Sequence, residues 1–309
     1  MCLTSRAWAR SGAKACRTGS PFELRFVRVS AGIPAEHDVQ LYDRDSSLVE
    51  TVAAHLGAGI AADEGALAIA TPEHAAALRE RLGGLGHDVE ALEAADRLLF
   101  ADAEETLSAI VGAAGVPSMV RFERAVLPPL NRISDPGACP HLFGEMVDLL
   151  WRGGDRAGAE ALEDLWHQFE TRRDFRLLCA YSVADVFDRS LHLELVPHLW
   201  RTHREVRLVA EPSRLRHAFD QALAEALGPG DAARVYELAT ARRPDAWAPA
   251  HQLALTWMSA HMPQAAEQIL AVARERYASA SSTTKVAPSP GADLTVSEPP
   301  MRVTSSRQM

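Results

Sequence analysis

Gly65-Ala66-Leu67-Ala68-Ile69-Ala70-Thr71-Pro72-Glu73 is the stretch on which the fold turns. Its first part is apolar without alternation, the pattern of a strand covered on both faces. The chain then passes through Thr71 into Pro72 and Glu73. Proline suits the first turn of a helix, where its missing N–H costs nothing, and an acid there is stabilised by the positive helix end. A buried strand running straight into a helix is the unit from which parallel sheets are assembled.

The same unit recurs on both sides. His37-Asp38-Val39-Gln40-Leu41-Tyr42 reads as a first strand. Asp45 or Ser46 can cap a helix over 47–56, whose apolar residues at 48, 49, 52, 53 and 56 recur at helical spacing, with Gly57 and Gly59 expected to end it. The helix opened by Pro72 stops at Gly83-Gly84. Residues 97–101 form a third strand, followed by Asp102 as a cap and a helix over 103–111. Strand and helix in strict alternation imply right-handed crossovers and a parallel sheet. Further on, Pro128-Pro129 should break any long helix over 122–133. Residues 143–152 read as a helix ending at Gly153-Gly154, and 157–171 as another. Residues 175–181 form a buried strand, a helix starts over 183–187, and 191–203 is helical with a break at Pro197. The expected fold class is α/β, a three-layer, mostly parallel sheet followed by a small all-α region.

After Pro212 helices follow one another without strands. Phe219, Leu223, Ala232, Tyr236 and Ala239 recur, 34 positions on, as Leu253, Trp257, Ala266, Leu270 and Ala273. That period resembles a pair of tetratricopeptide-like hairpins, although Asp220 and Ala278 depart from the pattern. Two such repeats rarely fold alone, so they are expected to lean on the sheet. The organisation read from the sequence is a disordered leader over 1–34, a sheet domain over 35–207, helical hairpins over 212–279 and a disordered tail over 280–309.

Composition narrows the function. The formal net charge is -9 over 309 residues, against the basic face of a nucleic-acid binder. No apolar run approaches the roughly 20 residues of a membrane span, and the arginine-bearing N-terminal stretch lacks the apolar core of a secretory signal. Cys2, Cys16, Cys139 and Cys179 form no C-x-x-C pair, so spacing offers no zinc ribbon, and the usage suits a reducing cytosol. The turn after the first strand, Tyr42-Asp43-Arg44-Asp45-Ser46-Ser47, has no glycine or lysine and carries two acids. Such a turn would repel a triphosphate rather than cradle it. There is no G-x-S-x-G elbow, and His198 and His203 are not at the i, i+4 spacing that aligns two ligands on a helix. No cofactor, metal or catalytic residue is expected.

Several polar residues stand out in apolar surroundings. Glu145 is either a first-turn acid or a group facing a pocket. Cys179 is either a small core residue or part of that pocket's wall. Trp166 is either a core or a pocket aromatic, and His37 sits at the mouth of the first strand.

In order along the chain, 37–42, 59–71, Phe143-Gly144-Glu145-Met146, Leu162-Glu163 with Trp166, and Leu178-Cys179-Ala180-Tyr181 resemble the MEDS domain. This is a sensory domain named for methanogens, methylotrophs and the dichloromethane-responsive repressor. The resemblance covers about 35–205. It implies a RecA/KaiC-like three-layer fold without the phosphate-binding loop, a small-molecule effector, and a kinase or DNA-binding output. By position His37, Tyr42, Glu145, Cys179 and Tyr181 match the family's recurrent residues, and Trp166 joins them as a candidate ligand contact. No output element of that kind is evident here. The expectation is a non-enzymatic cytosolic sensor that binds a small, weakly polar effector and addresses a regulatory protein partner through the helical tail, without direct nucleic-acid or membrane contact. A degenerate nucleotide binder or enzyme of RecA-like fold is the alternative, and a filled scaffold without a pocket is the third reading.

Overall fold

The computed structural model describes residues 37–135, 137–208, 212–241 and 249–282. The leader expected over 1–34 and most of the expected tail over 280–309 lie outside them. In the first half, β1 (His37–Tyr42), α1 (Asp45–Ala61), β2 (Ala66–Ala70), α2 (Pro72–Gly84), α3 (Val89–Ala94), β3 (Leu98–Asp102), α4 (Ala103–Val111) and α5 (Met119–Ile133) follow one another. Then come β4 (His141–Gly144), α6 (Met146–Arg152), α7 (Arg156–Glu170), β5 (Arg176–Ser182), α8 (Arg189–Thr202) and β6 (Glu205–Leu208). The C-terminal helices are α9 (Pro212–Ala241), α10 (Ala250–His261) and α11 (Pro263–Ser282).

The six strands form one sheet in the order β3-β2-β4-β5-β1-β6. Every pair is parallel. Strand alternation divides the core into two layers. Val39, Leu41, Cys179 and Tyr181 face α5, α7 and α8, while Tyr42, Ala68, Phe143 and Ala180 face α1 and α2. The sheet is therefore covered on both sides, as the unalternated run at 65–71 requires.

Five local expectations are corrected. Residues 141–144 are a strand, not the start of the helix expected over 143–152; Leu142 and Phe143 are buried against opposite layers. Gly57 and Gly59 do not end α1, which runs on to Ala61. A Cβ at Gly59 would fall 2.7 Å from the His141 ring, so close approach, not chain reversal, calls for glycine there. Pro128 and Pro129 lie inside α5 without breaking it. Interior proline costs about 3 kcal/mol, whereas burying Phe122, Val126, Leu130 and Ile133 on one stripe contributes about 1.5–3 kcal/mol each. Packing wins. Likewise α8 runs through Pro197, and it begins only after Asp188, whose carboxylate accepts from Ser190 N at 2.9 Å, so 183–187 is not helical. Asp102 caps α4 as expected, accepting from the Glu104 and Glu105 amides.

Within α9 the helix is interrupted at Gly228 (φ 78°), just before Pro229, which divides it into two arms. The recurring residues lie on helices, and Phe219, Leu223, Ala239, Leu253, Ala266, Leu270 and Ala273 are buried. The tail does not stand apart. Its apolar residues belong to the same core as Leu191, Leu195 and Leu199 of α8. Arg189 Nε donates to Ser259 O at 2.6 Å, and the Phe187 and Tyr277 rings meet at 5.7 Å. Among the described residues no helix is long and apolar enough to cross a membrane.

Candidate functional site

Two buried polar clusters flank the sheet. The first sits at the carboxyl ends of β1, β2, β4 and β5, where open parallel sheets hold ligands. Glu145, fully buried, ends β4 and leads into α6. Its carboxylate accepts from Thr71 N at 2.8 Å and from His74 Nδ1 at 2.8 Å. One turn on, Asp148 accepts from Tyr42 OH at 2.8 Å and from Ser182 N at 2.7 Å. Arg152 reaches back to both, 3.0 Å from Asp148 and 3.5 Å from Glu145. Burial opposes ionisation of Glu145, but the bonds from His74 and Thr71 outweigh it and hold the carboxyl below its ordinary range. The bond to Glu145 holds His74 above its ordinary value. Burial and the nearby Asp148 push the Tyr42 phenol well up. The cluster is a latch in which four strand ends are tied to α6, and its acids occupy the place a phosphate would need.

The second cluster lies on the opposite face, toward the amino end of β1. His37 and Cys179 share that face because β1 and β5 pair in register, Val39 opposite Cys179. His37 Nε2 is 3.2 Å from Cys179 Sγ. Above them α7 presents Glu163, His167 and Glu170 at i, i+4 and i+7, a polar ridge turned inward beside the apolar ridge of Leu162, Trp166 and Phe169. Glu163 Oε1 accepts from Tyr181 OH at 2.8 Å. Its Oε2 lies 3.6 Å from His37 Nε2 and 3.5 Å from His203 Nε2. His203 is placed by its successor, since Arg204 N donates to His37 O at 2.7 Å while Arg204 grips Asp38.

Burial dominates the electrostatics of this cluster. It holds His37 well below its ordinary value, helped by His203 and His167. It pushes Cys179 and Tyr181 well up, with Glu163 adding to both. It raises Glu170 to about 8, assisted by Glu163 and Asp38. Glu163 alone goes the other way: burial opposes its charge, but His203 and the Tyr181 hydroxyl outweigh it. The polar demand is not met. Glu163 Oε2, His203 Nε2, His37 Nδ1 and both Glu170 oxygens are buried without a hydrogen-bond partner.

Of the sequence candidates, His37, Cys179 and Tyr181 come together in the second cluster and Tyr42 and Glu145 in the first. Trp166 joins neither; its ring packs edge-on at 4.7 Å against Phe122. Sequence reasoning did not single out Glu163, His167, Glu170 or His203 as a group. The signal that could have found them is the inward i, i+4, i+7 polar ridge of α7. Beside Tyr181 a small cavity of about 50 Å³ opens between α7 and α8, bounded also by Trp151, Arg156, Glu194, Leu195 and His198. Trp151 meets the Tyr181 ring edge-on at 5.8 Å.

Among curated proteins and among solved structures nothing matches. A family does: the description "MEthanogen/methylotroph, DcmR Sensory domain" matches residues 36–204, more than half of the chain and all of both polar clusters. The chain therefore belongs to the MEDS family of sensory domains.

Proposed function

We propose that the chain is a non-enzymatic cytosolic sensor. A small effector enters beside Tyr181, and the helical tail carries the response to a regulatory protein partner. The observation that carries this reading is the placement of the cavity. One wall is Tyr181, whose hydroxyl is bonded to Glu163. The other is α8, through Leu195 and His198, and α8 is the helix on which the tail packs. At about 50 Å³ the space takes a molecule of only a few heavy atoms, since one water occupies roughly 30 Å³ in the liquid. An effector that wedges α7 from α8 differs in affinity between two positions of α8, which is what a switch requires. The Arg156–Glu194 ion pair bridges these helices beside the cavity and serves as its outer clasp.

The tail, with its tetratricopeptide-like repeat, offers the partner a groove of about 640 Å³ between the arms of α9 and the start of α10, with Arg216, Asp220, Tyr236 and His251 on its walls. The alternative of a degenerate nucleotide binder with a RecA-like sheet gains no support from the carboxyl-end cluster, where Glu145 and Asp148 stand, where Asp43 and Asp45 follow Tyr42 in the chain, and where Asp45 lies 3.6 Å from His74.

The test is a thermal-shift panel of small alcohols, haloalkanes and short-chain acids, followed by hydrogen exchange of α8, α10 and α11. Stabilisation by one class with altered exchange in those helices is expected, and is lost in Leu195→Trp, which fills the cavity. Stabilisation by ATP or GTP with magnesium, and by none of the small molecules, would overturn the reading.

A further inference from the structure

We propose that His37, Glu163, Cys179 and His203 bind one divalent transition-metal ion of the zinc class. The four come from β1, α7, β5 and the end of α8, and one ligand atom from each lies within 4.8 Å of all the others. All four residues are essentially inaccessible to solvent. A tetrahedral zinc site with bonds near 2.0–2.3 Å has ligand–ligand edges of about 3.3–3.7 Å. Three edges here are already close to that: His37 Nε2 to Cys179 Sγ at 3.2 Å, His37 Nε2 to Glu163 Oε2 at 3.6 Å and His203 Nε2 to Glu163 Oε2 at 3.5 Å.

The unmet atoms point to the same spot. Glu163 Oε2 and His203 Nε2 face each other at 3.5 Å, buried and without a hydrogen bond, although buried polar atoms ordinarily find partners. A cation between them, touching the sulfur and the His37 nitrogen, satisfies both. Charge also closes. A carboxylate and a thiolate neutralise a divalent ion, leaving a neutral group, the form a low-dielectric interior tolerates.

The surrounding residues have the form of an outer shell. Metal-bound imidazoles are oriented through their second nitrogen by a carboxylate or a carbonyl. Behind His37, Nδ1 lies 3.3 Å from Glu170 Oε1. Behind His203, Nδ1 lies 3.3 Å from Leu199 O and 2.9 Å from Thr202 Oγ1. Tyr181 OH donates to Glu163 Oε1, leaving Oε2 to face the other three ligands. His37, His167 and Glu170 also lie close together, but that trio has no fourth ligand and shares His37. Two imidazoles, one sulfur and one oxygen suit a borderline-soft ion and not calcium or magnesium, which take oxygen. Four protein ligands leave no open position, so the ion's part is to fix β1, β5, α7 and α8 together. This proposal does not rest on the sensory reading.

The test is titration of the full chain with Co²⁺, a spectroscopic substitute for Zn²⁺, under thiol reductant. One equivalent binds, giving a thiolate-to-cobalt charge-transfer band and intense tetrahedral d–d bands, and Zn²⁺ bleaches both. Glu163→Gln and His203→Gln weaken Co²⁺ binding at least tenfold. Cys179→Ser abolishes the charge-transfer band, and Arg79→Ala on α2, at the part-exposed ion pair with Glu93, leaves it unchanged. Failure of the chain to bind Co²⁺, binding without the band, or persistence of the band in Cys179→Ser would overturn the proposal. If Cys179→Ser does not fold, the chain with Cys2 and Cys16 replaced by Ser, which keeps the buried Cys139 in place, decides. Retention of the band supports the site and its loss rejects it.

Discussion

The two polar clusters of this sheet are both buried and both rich in acids and imidazoles, yet they are opposites. At the carboxyl ends, Tyr42, Thr71, His74, Glu145 and Asp148 leave no buried side-chain atom without a partner. On the other face, Glu163, Glu170, His37 and His203 leave five such atoms exposed to nothing but each other. The first arrangement explains itself: amides, a phenol and a guanidinium neutralise two carboxylates, and strand ends are tied to a helix. The second does not. An unsatisfied buried polar atom costs about 1–3 kcal/mol, so a group of them marks a place completed by something else. The site where parallel sheets ordinarily hold ligands is filled here by the protein's own acids, and the open chemistry lies across the sheet.

The largest expected effect is on the satisfied cluster. Glu145→Ala strands Thr71 N and His74 and should cost about 3–5 kcal/mol in urea unfolding; a cost below 1 kcal/mol would erase the contrast between the clusters. The latch should also be visible in pH. His74 is raised when folded, so its contribution is complete below its unfolded value and fades as pH rises through the folded one. Glu145 is lowered, so its contribution is complete above its unfolded value and fades as pH falls through the folded one. The coupling between His74→Gln and Glu145→Gln, taken from a double-mutant cycle, should therefore be greatest between about pH 4.5 and 6.5 and shrink on both sides. A coupling that is flat with pH would mean the pair is not ionic.

Glu163→Gln sharpens the comparison from the other side. In metal-free protein it removes a charge whose Oε2 has no hydrogen bond while keeping the acceptor for Tyr181. It should cost about 1 kcal/mol or less, or stabilise, and a loss equal to that of Glu145→Gln would make the clusters alike. The smallest effect belongs to Arg156→Ala. Its ion pair with Glu194 is about half exposed on both sides and should contribute under about 0.5 kcal/mol. Iodide quenching of Trp151 fluorescence should nevertheless rise as the clasp over the Tyr181 cavity opens.

Much of this was legible in the residues. The apolar run at 65–71 announces a buried strand because uninterrupted apolar character has few other causes, the alternation of His37–Tyr42 announces another, and their alternation with helices announces the parallel sheet. The β4 strand was hidden. It is four residues long and runs almost directly into α6, whose own apolar residues extend the pattern without a seam. The prolines of α5 misled because local propensity is weaker than a buried stripe. For the site, His37, Cys179 and Tyr181 showed as polar residues in apolar strands. Glu163 and His203 did not, because each looks ordinary on its own helix and acquires meaning only through register and crossover. Sequence spacing offered no metal set, as the four proposed ligands are scattered from 37 to 203 and only the fold brings them together.

The family match ends at 204, but the sheet does not: β6 at 205–208 pairs with β1 along its outer edge. The tail then shares its apolar interior with α8. The boundary between sensor and tail is thus a line in sequence without a seam in space. Cut there, β1 would become an open sheet edge and α8 would lose its cover, a combination that invites aggregation. The two parts should melt in one transition, and a transplant of the sensory portion onto another output would have to carry β6 and a substitute cover for α8 with it.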